Sequence, residues 1–156
     1  RGHPAGARVI IDFAHTPDAL EGALKGLRPG TSGRLNLVFG CGGDRDKGKR
    51  AEMGKIAATH ADKIYVTDDN PRTERPAAIR SEILSGCPEA YDISPRDKAI
   101  QMAIAELDSE DTLLIAGKGH ETSQTIGTEV LPFDDASVAR HALMNLPDSR
   151  AGTGEL

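Results

Sequence analysis

Residues 8–27, RVIIDFAHTPDALEGALKGL, contain the two signals on which the predicted fold depends. The first part, Arg8–Phe13, is a short run rich in β-branched residues, which is typical of a buried strand. Thr16 and Pro17 follow it as a helix N-cap and a first helical residue. Four apolar residues then repeat at the helical spacing i, i+3, i+4, i+7: Leu20, Ala23, Leu24 and Leu27. This stretch therefore predicts a strand followed by an amphipathic helix.

The same alternation recurs along the rest of the chain. Further short apolar runs predict strands at Leu35–Phe39, Lys63–Thr67, Ala90–Ile93 and Thr112–Ala116. Apolar residues at helical spacing separate these runs, and Ser94–Asp97 has the Ser-x-x-Asp spacing of a capping box. Such a pattern is typical of a parallel sheet with helices on both faces. We therefore predict one doubly wound α/β domain over residues 1–147.

The C-terminal part of the chain departs from this alternation. Ser123–Ile126 and Thr128–Leu131 flank Gly127 and predict an antiparallel hairpin added to the mostly parallel sheet. A last helix is expected after Asp134, and residues 148–156 are expected to form a disordered tail.

Composition argues against several functional classes. The 156 residues fit one domain, and the net charge of −5 argues against a nucleic-acid partner, because phosphate neutralisation needs an excess of cations. We find no run that approaches the ~20 apolar residues of a membrane span and no signal peptide. We therefore expect a cytoplasmic protein without a membrane partner. The chain begins at Arg1, so we expect it to be part of a longer protein.

The loops that follow the predicted strands differ from those that precede them. They concentrate charge and glycine, and they comprise Asp12–Thr16, Gly40–Arg50, Asp68–Arg75 and Gly117–Glu121. In an open parallel sheet the carboxyl ends of the strands meet at one edge, where ligands bind. We therefore expect the binding site at that edge.

Gly43–Lys49 matches the P-loop pattern G-x-x-x-x-G-K. A P-loop needs Ser or Thr after the lysine to hold Mg²⁺, but this chain has Arg50, and we interpret the match as false. We expect the glycines to let the backbone turn while Arg45 faces an anionic group. Three other cations of this loop are expected to face water: Lys47, Lys49 and Arg50.

Asp69–Arg72 combines an acid and a guanidinium on a stiff turn. Pro71 fixes its own φ and pushes Asn70 out of the helical region. Arg72 suits a carboxylate gripped by two parallel hydrogen bonds, and Asp69 suits an ammonium group. The turn therefore matches a zwitterionic amino acid, although an Asp–Arg surface pair that satisfies itself explains the spacing equally well. In the last loop, Glu121 would accept a bond from an ammonium group.

Four motifs occur in register: Asp12–Leu20 (DFAHTPDAL), Gly40–Arg50 (GCGGDRDKGKR), Asp69–Arg72 (DNPR) and Gly117–Glu121 (GKGHE). Together they resemble the C-terminal domain of the Mur ligases over about residues 9–146, and most closely that of the members that add meso-diaminopimelate. Phe13 stands where the family usually has Tyr. The resemblance implies a Rossmann-like domain that closes on a central ATPase domain.

The resemblance also implies the reaction of the full-length enzyme. ATP and Mg²⁺ activate the D-glutamate carboxylate of a UDP-N-acetylmuramoyl-dipeptide as an acyl phosphate, which the amine of meso-diaminopimelate attacks during peptidoglycan synthesis. The domains that bind Mg²⁺ and the UDP group are absent from this chain, so it is expected to hold no catalytic residue or metal ligand and to be inactive alone.

The implied substrate-binding residues are those that match the family motifs. For meso-diaminopimelate they are Arg45, Asp69, Asn70, Pro71, Arg72, Gly117 and Glu121, whereas Asp12 and His15 are implied to lie beside ATP. Diaminopimelate differs from lysine by a second carboxylate, and Arg72 would lack its partner if lysine were bound. Two alternatives remain: a lysine-adding Mur ligase domain, and a free-standing module that binds an amino acid or a nucleotide without catalysis.

Overall fold

The computed structural model describes residues 6–43, 48–118, 123–126, 129–132 and 134–144. The predicted tail at 148–156 and the ends of the predicted domain lie outside these residues. The strands are β1 (Arg8–Asp12), β2 (Leu35–Phe39), β3 (Lys63–Val66), β4 (Tyr91–Asp92), β5 (Thr112–Ala116), β6 (Ser123–Ile126) and β7 (Glu129–Pro132). The helices are α1 (Pro17–Leu27), α2 (Gly48–His60), α3 (Pro76–Leu84), α4 (Arg96–Ala105) and α5 (Asp135–Met144).

The first five strands form one parallel sheet in the order β1-β5-β2-β3-β4. The ends of its strands are aligned, since Asp12 pairs with Ala116 and Phe39 pairs with Val66. The predicted α/β fold with a parallel sheet is therefore confirmed. The strands β6 and β7 pair antiparallel in a separate two-stranded sheet.

Two hydrophobic cores lie on opposite faces of the parallel sheet. One contains buried residues of α1, α2 and α3, and the other contains buried residues of α4 and α5. Successive strand residues alternate between the two cores: Leu114 packs in the first and Ile115 in the second. This period of two explains why strands buried on both faces read as continuous apolar runs.

The start of α1 follows the prediction. Thr16 is the N-cap, its hydroxyl accepts a hydrogen bond from the backbone N–H of Ala19 at 3.2 Å, and Pro17 is the first helical residue. Leu20 and Leu24 are fully buried. The helix therefore begins at a side-chain cap and faces the sheet with its apolar stripe.

The predicted capping box at Ser94–Asp97 is wrong. Pro95 is the N-cap of α4, and no side-chain hydrogen bond caps this helix. The Ser94 hydroxyl instead donates to Oδ2 of Asp68 at 2.7 Å, in the loop after β3. A carboxylate from a distant loop therefore takes the hydroxyl that the local spacing assigns to the helix.

The strand order reverses once along the chain. The path moves from β1 to β4 with α1, α2 and α3 on one face, then returns through α4 on the other face to place β5 between β1 and β2. The strand order therefore switches at β5, and such a switch point forms a crevice at the carboxyl ends of the strands. We call this side the carboxyl edge and the opposite side the amino edge.

No helix within the described residues is long and apolar enough to span a membrane.

Candidate functional site

A cavity of about 420 Å³ lies at the carboxyl edge. The loops after β1, β2, β3 and β5 all contribute to its wall, as does the start of α2. It brings together five of the residues predicted from sequence: His15, Asp69, Asn70, Arg72 and Gly117. A cavity of this size can hold a small molecule such as an amino acid.

Asp12 supports the cavity without lining it. Its Oδ1 accepts a hydrogen bond from the backbone N–H of Ala14 at 3.2 Å, and its carbonyl accepts one from Gly117 at 3.1 Å. His15 is exposed, and its ring nitrogen Nδ1 lies 3.0 Å from the carbonyl oxygen of Phe13. The rings of Phe13 and His15 meet edge to face, with centroids 4.7 Å apart. Asp12 therefore shapes the turn that presents this aromatic pair.

Gly43 joins the loop after β2 to the turn at Asn70–Arg72. Its backbone N–H donates to the carbonyl of Asn70 at 2.7 Å, and its carbonyl accepts from Nη1 of Arg72 at 3.0 Å. A Cβ on Gly43 would lie 1.8 Å from the carbonyl oxygen of Pro71. Only glycine fits here, because any side chain would separate the two loops.

Arg72 has a left-handed backbone conformation, with φ of +52°. That conformation costs a non-glycine residue about 1 kcal/mol, and such outliers concentrate at ligand sites. Its Nη1 donates to the carbonyl of Gly43, with a longer contact of 3.4 Å to that of Asn70. The structure describes both Asp69 and Arg72, and no ion pair joins them, so these two residues do not satisfy each other as a surface pair.

Asp69 lies against Gly117 on the wall of the cavity. Its side chain is buried, and its carbonyl accepts a hydrogen bond from Nε2 of Gln124 at 2.6 Å. Gly117 has φ of +117°, and a Cβ there would lie 2.8 Å from Oδ2 of Asp69. A side chain at position 117 would therefore displace the carboxylate. Two other predicted substrate-binding residues, Arg45 and Glu121, lie outside the described residues.

Comparison with known proteins gives the family of the chain. A profile of the family described as "Mur ligase, glutamate ligase domain" matches residues 1–119. The chain belongs to the Mur ligase family. It is 57% identical over 143 residues to a protein of Zymomonas mobilis and 55% identical over 139 residues to one of Mesorhizobium japonicum. Both are named UDP-N-acetylmuramoyl-L-alanyl-D-glutamate--2,6-diaminopimelate ligase, and in each case the match covers 89% of this chain and 29% of the relative.

A solved structure of a Mur ligase of that name has the same fold. It superposes on 89% of this chain with a TM-score of 0.86 and 40% sequence identity. The match covers 29% of the solved chain, so the present chain spans less than a third of the relatives that it matches.

The prediction that Arg50 faces water is wrong. Its side chain is 1% exposed, and its two terminal nitrogens donate to both carboxylate oxygens of Glu74, at 3.0 and 2.7 Å. The same nitrogens donate to Glu82 at 3.2 Å and to the carbonyl of Gly42 at 3.0 Å. The hydrogen bond with Glu74 is the largest factor that raises the pKa of Arg50. Arg50 is buried because two glutamates distant in sequence neutralise it, whereas its neighbour Lys49 is exposed as predicted.

Arg96 and Asp135 form a second buried pair that sequence analysis missed. Both side chains are fully buried, and Nε and Nη2 of Arg96 donate to the two carboxylate oxygens at 2.8 and 2.7 Å. The sequence signal was weak: one arginine at the start of the predicted helix, and an aspartate 39 residues later at the start of another.

Cys41 lines the cavity without being an activated thiol. Burial, and then the negative charge of Asp69, raise the pKa of Cys41 to about 12. The thiol is therefore protonated at neutral pH, which argues against a role as a nucleophile.

The position after Gly48 and Lys49 in this Mur ligase domain does not fit the Mg²⁺ site of a P-loop. The described residues contain no group of three or more His, Cys, Asp or Glu side chains able to hold a metal ion. After Gly48 and Lys49, moreover, the buried guanidinium of Arg50 replaces the hydroxyl that a P-loop uses.

Proposed function

We propose that this chain is the amino-acid-recognition domain of a full-length ligase that adds meso-diaminopimelate to UDP-N-acetylmuramoyl-L-alanyl-D-glutamate. The names of relatives at 55–57% identity support the proposal, as does the cavity that gathers four loops of the family motifs. The ligase would use ATP and Mg²⁺ in the cytoplasm to form an acyl phosphate. Since this chain spans only part of such an enzyme, we expect it to be inactive alone.

The position of Arg72 carries the proposal. The left-handed turn and the hydrogen bond to Gly43 hold its guanidinium at the cavity wall. There it would bind the second carboxylate of meso-diaminopimelate, which lysine lacks. Asp69, Asn70 and Pro71 would complete this turn of the site, with Gly117 facing Asp69. Arg45 and Glu121 would also contact the amino acid, whereas Asp12 and His15 would lie beside ATP.

Removing this guanidinium tests the proposal. In the full-length protein, Arg72→Ala should lower kcat/KM for meso-diaminopimelate by about 10³-fold or more, because a site built for a polar group discriminates strongly when the partner is missing. Amide formation would be measured with meso-diaminopimelate and with L-lysine, each with ATP and the UDP-linked dipeptide.

Arg75→Ala is the matched control, because Arg75 is an exposed arginine of the same loop and does not line the cavity. It should keep near-normal addition. Near-normal turnover by Arg72→Ala would overturn the role of Arg72. A wild-type enzyme that prefers lysine would overturn the assignment of the substrate.

A further inference from the structure

Arg96 connects two loops of the cavity without lining it. Its Nη1 donates to the carbonyl of Asp68 at 2.9 Å, and its Nη2 donates to the carbonyl of Ala116 at 3.1 Å. These two carbonyls immediately precede Asp69 and Gly117, the facing residues of the cavity wall. One buried guanidinium therefore spans from the end of β3 to the end of β5, two strands that β2 separates.

Asp135 orients this guanidinium from the start of α5. It occupies Nε and one side of Nη2, which leaves Nη1 and the other side of Nη2 to reach the two carbonyls. An arginine fork held at both ends has little freedom, because its five donors lie in one plane. Movement of either residue would shift Asp69 relative to Gly117.

We propose that Arg96, oriented by Asp135, is a positioning residue that sets the separation of Asp69 and Gly117 for amino-acid binding. The inference rests on the proposed function of this cavity. The competing explanation is that the pair only stabilises the fold. Replacing a buried ion pair by apolar residues of similar volume is often neutral for stability. Here the replacement also removes the donors of the Asp68 and Ala116 carbonyls, which lowers stability under either explanation. The KM of the folded variant separates the two: it rises for meso-diaminopimelate if the pair positions the site, and it stays unchanged if the pair only stabilises the fold.

The test uses the full-length protein with the double substitution Arg96→Met/Asp135→Leu. The substitution at Arg96 removes a donor from the carbonyls of Asp68 and Ala116, so we expect a lowered unfolding temperature, together with a KM for meso-diaminopimelate raised about 10- to 100-fold, as expected for a small misplacement of binding groups. The KM for the UDP-linked dipeptide should change by less than about threefold, because the family resemblance assigns the UDP group to domains outside this chain. The single substitution Arg96→Lys should also raise the KM for meso-diaminopimelate, because an ammonium group cannot make the same fork of hydrogen bonds.

Arg28→Lys is the control at the amino edge. Arg28 also bonds a carboxylate and a carbonyl, those of Asp62 and His60, at 2.9 and 2.8 Å, but it lies away from this cavity. It should leave both KM values unchanged.

The possible outcomes separate the inference from the proposed function. A wild-type KM for meso-diaminopimelate in the folded double variant would overturn the positioning role, as would an equal rise in the KM of both substrates. If the double variant does not fold, Arg96→Lys decides alone: a selective rise in KM supports the inference and an unchanged KM refutes it. A wild-type enzyme that adds no meso-diaminopimelate would refute the proposed function itself.

Discussion

The amino and carboxyl edges of the sheet both contain arginine–aspartate contacts, but these contacts hold different groups. At the amino edge, Oδ2 of Asp62 accepts from the backbone N–H of Leu35, and Oδ1 of Asp111 accepts from that of Arg34, each at 2.8 Å. At the carboxyl edge, Arg96 instead donates to two backbone carbonyls, those of Asp68 and Ala116. At the amino edge, aspartate side chains therefore bind the backbone where the chain enters β2.

This difference indicates what each edge contributes. Burial by itself would raise the pKa of Asp111, but the hydrogen bonds from the backbone N–H groups of Asp108 and Arg34, together with the charge and side-chain bond of Arg34, lower it overall, so its charge contributes to folding stability. The carboxyl edge instead contains a left-handed arginine and a glycine in contact with a neighbouring carbonyl, around an open cavity. Substitutions at the amino edge should change stability, whereas those at the carboxyl edge should change substrate binding.

Among the substitutions that test the division between the edges, Gly43→Ala should give the largest effect. The new Cβ would lie 1.8 Å from the carbonyl oxygen of Pro71, so the two loops must separate. We expect kcat/KM of the full-length protein for meso-diaminopimelate to fall about 100-fold, and the free energy of unfolding to fall by only about 1–3 kcal/mol. Gly22→Ala is the control, since nothing lies within 4 Å of its added Cβ. Normal addition by Gly43→Ala would show that the contact between the loops is unnecessary.

Asp111→Asn should affect stability at the amino edge. The substitution removes the negative charge and replaces one of two accepting oxygens, which bind the backbone N–H groups of Arg34 and Asp108, by an NH2 group that cannot accept. We expect a loss of about 1–3 kcal/mol at pH 7. Because folding lowers the pKa of Asp111, its contribution is present above the unfolded pKa of about 3.9 and is lost as the pH falls through the folded value. The difference from the wild type should therefore shrink below about pH 4 in urea-unfolding curves.

Asp108→Asn is the control for that measurement. Asp108 also contacts Arg34, at 3.2 Å, but its side chain is 81% exposed, and such a pair contributes little. A loss for Asp111→Asn that does not depend on pH would contradict the explanation from charge. A selective loss of meso-diaminopimelate binding would contradict the division between the edges.

The smallest expected effect is the difference in stability between Arg72→Gly and Arg72→Ala. Both variants remove the guanidinium, but only glycine adopts φ of +52° without strain. Arg72→Gly should therefore be more stable than Arg72→Ala by about 0.5–1 kcal/mol in urea unfolding, and both should lose substrate addition equally. Equal stabilities would show that this backbone stores no strain.

Much of the fold and part of the candidate site were predictable from local patterns. The strand at Leu35–Phe39 was predicted with its observed bounds, and Thr16 and Pro17 begin α1 as expected. The rule that ligands bind at the carboxyl ends of parallel strands placed His15, Asn70 and Arg72 near one another, and these residues do line one cavity. Their contacts with substrate stay a prediction.

The order of strands and helices and the edge that carries the site were determined by the sequence itself, because apolar periodicity and turn residues act within a few positions. Only the tertiary structure decided which charged groups are buried and which distant polar groups pair with each other. Glu74 neutralises Arg50 from 24 residues away, Asp135 neutralises Arg96 from 39 residues away, and Asp68 takes the hydroxyl of Ser94 from 26 residues away. A charge enters the interior only where a partner meets it, and that partner is brought there by the packing of the chain.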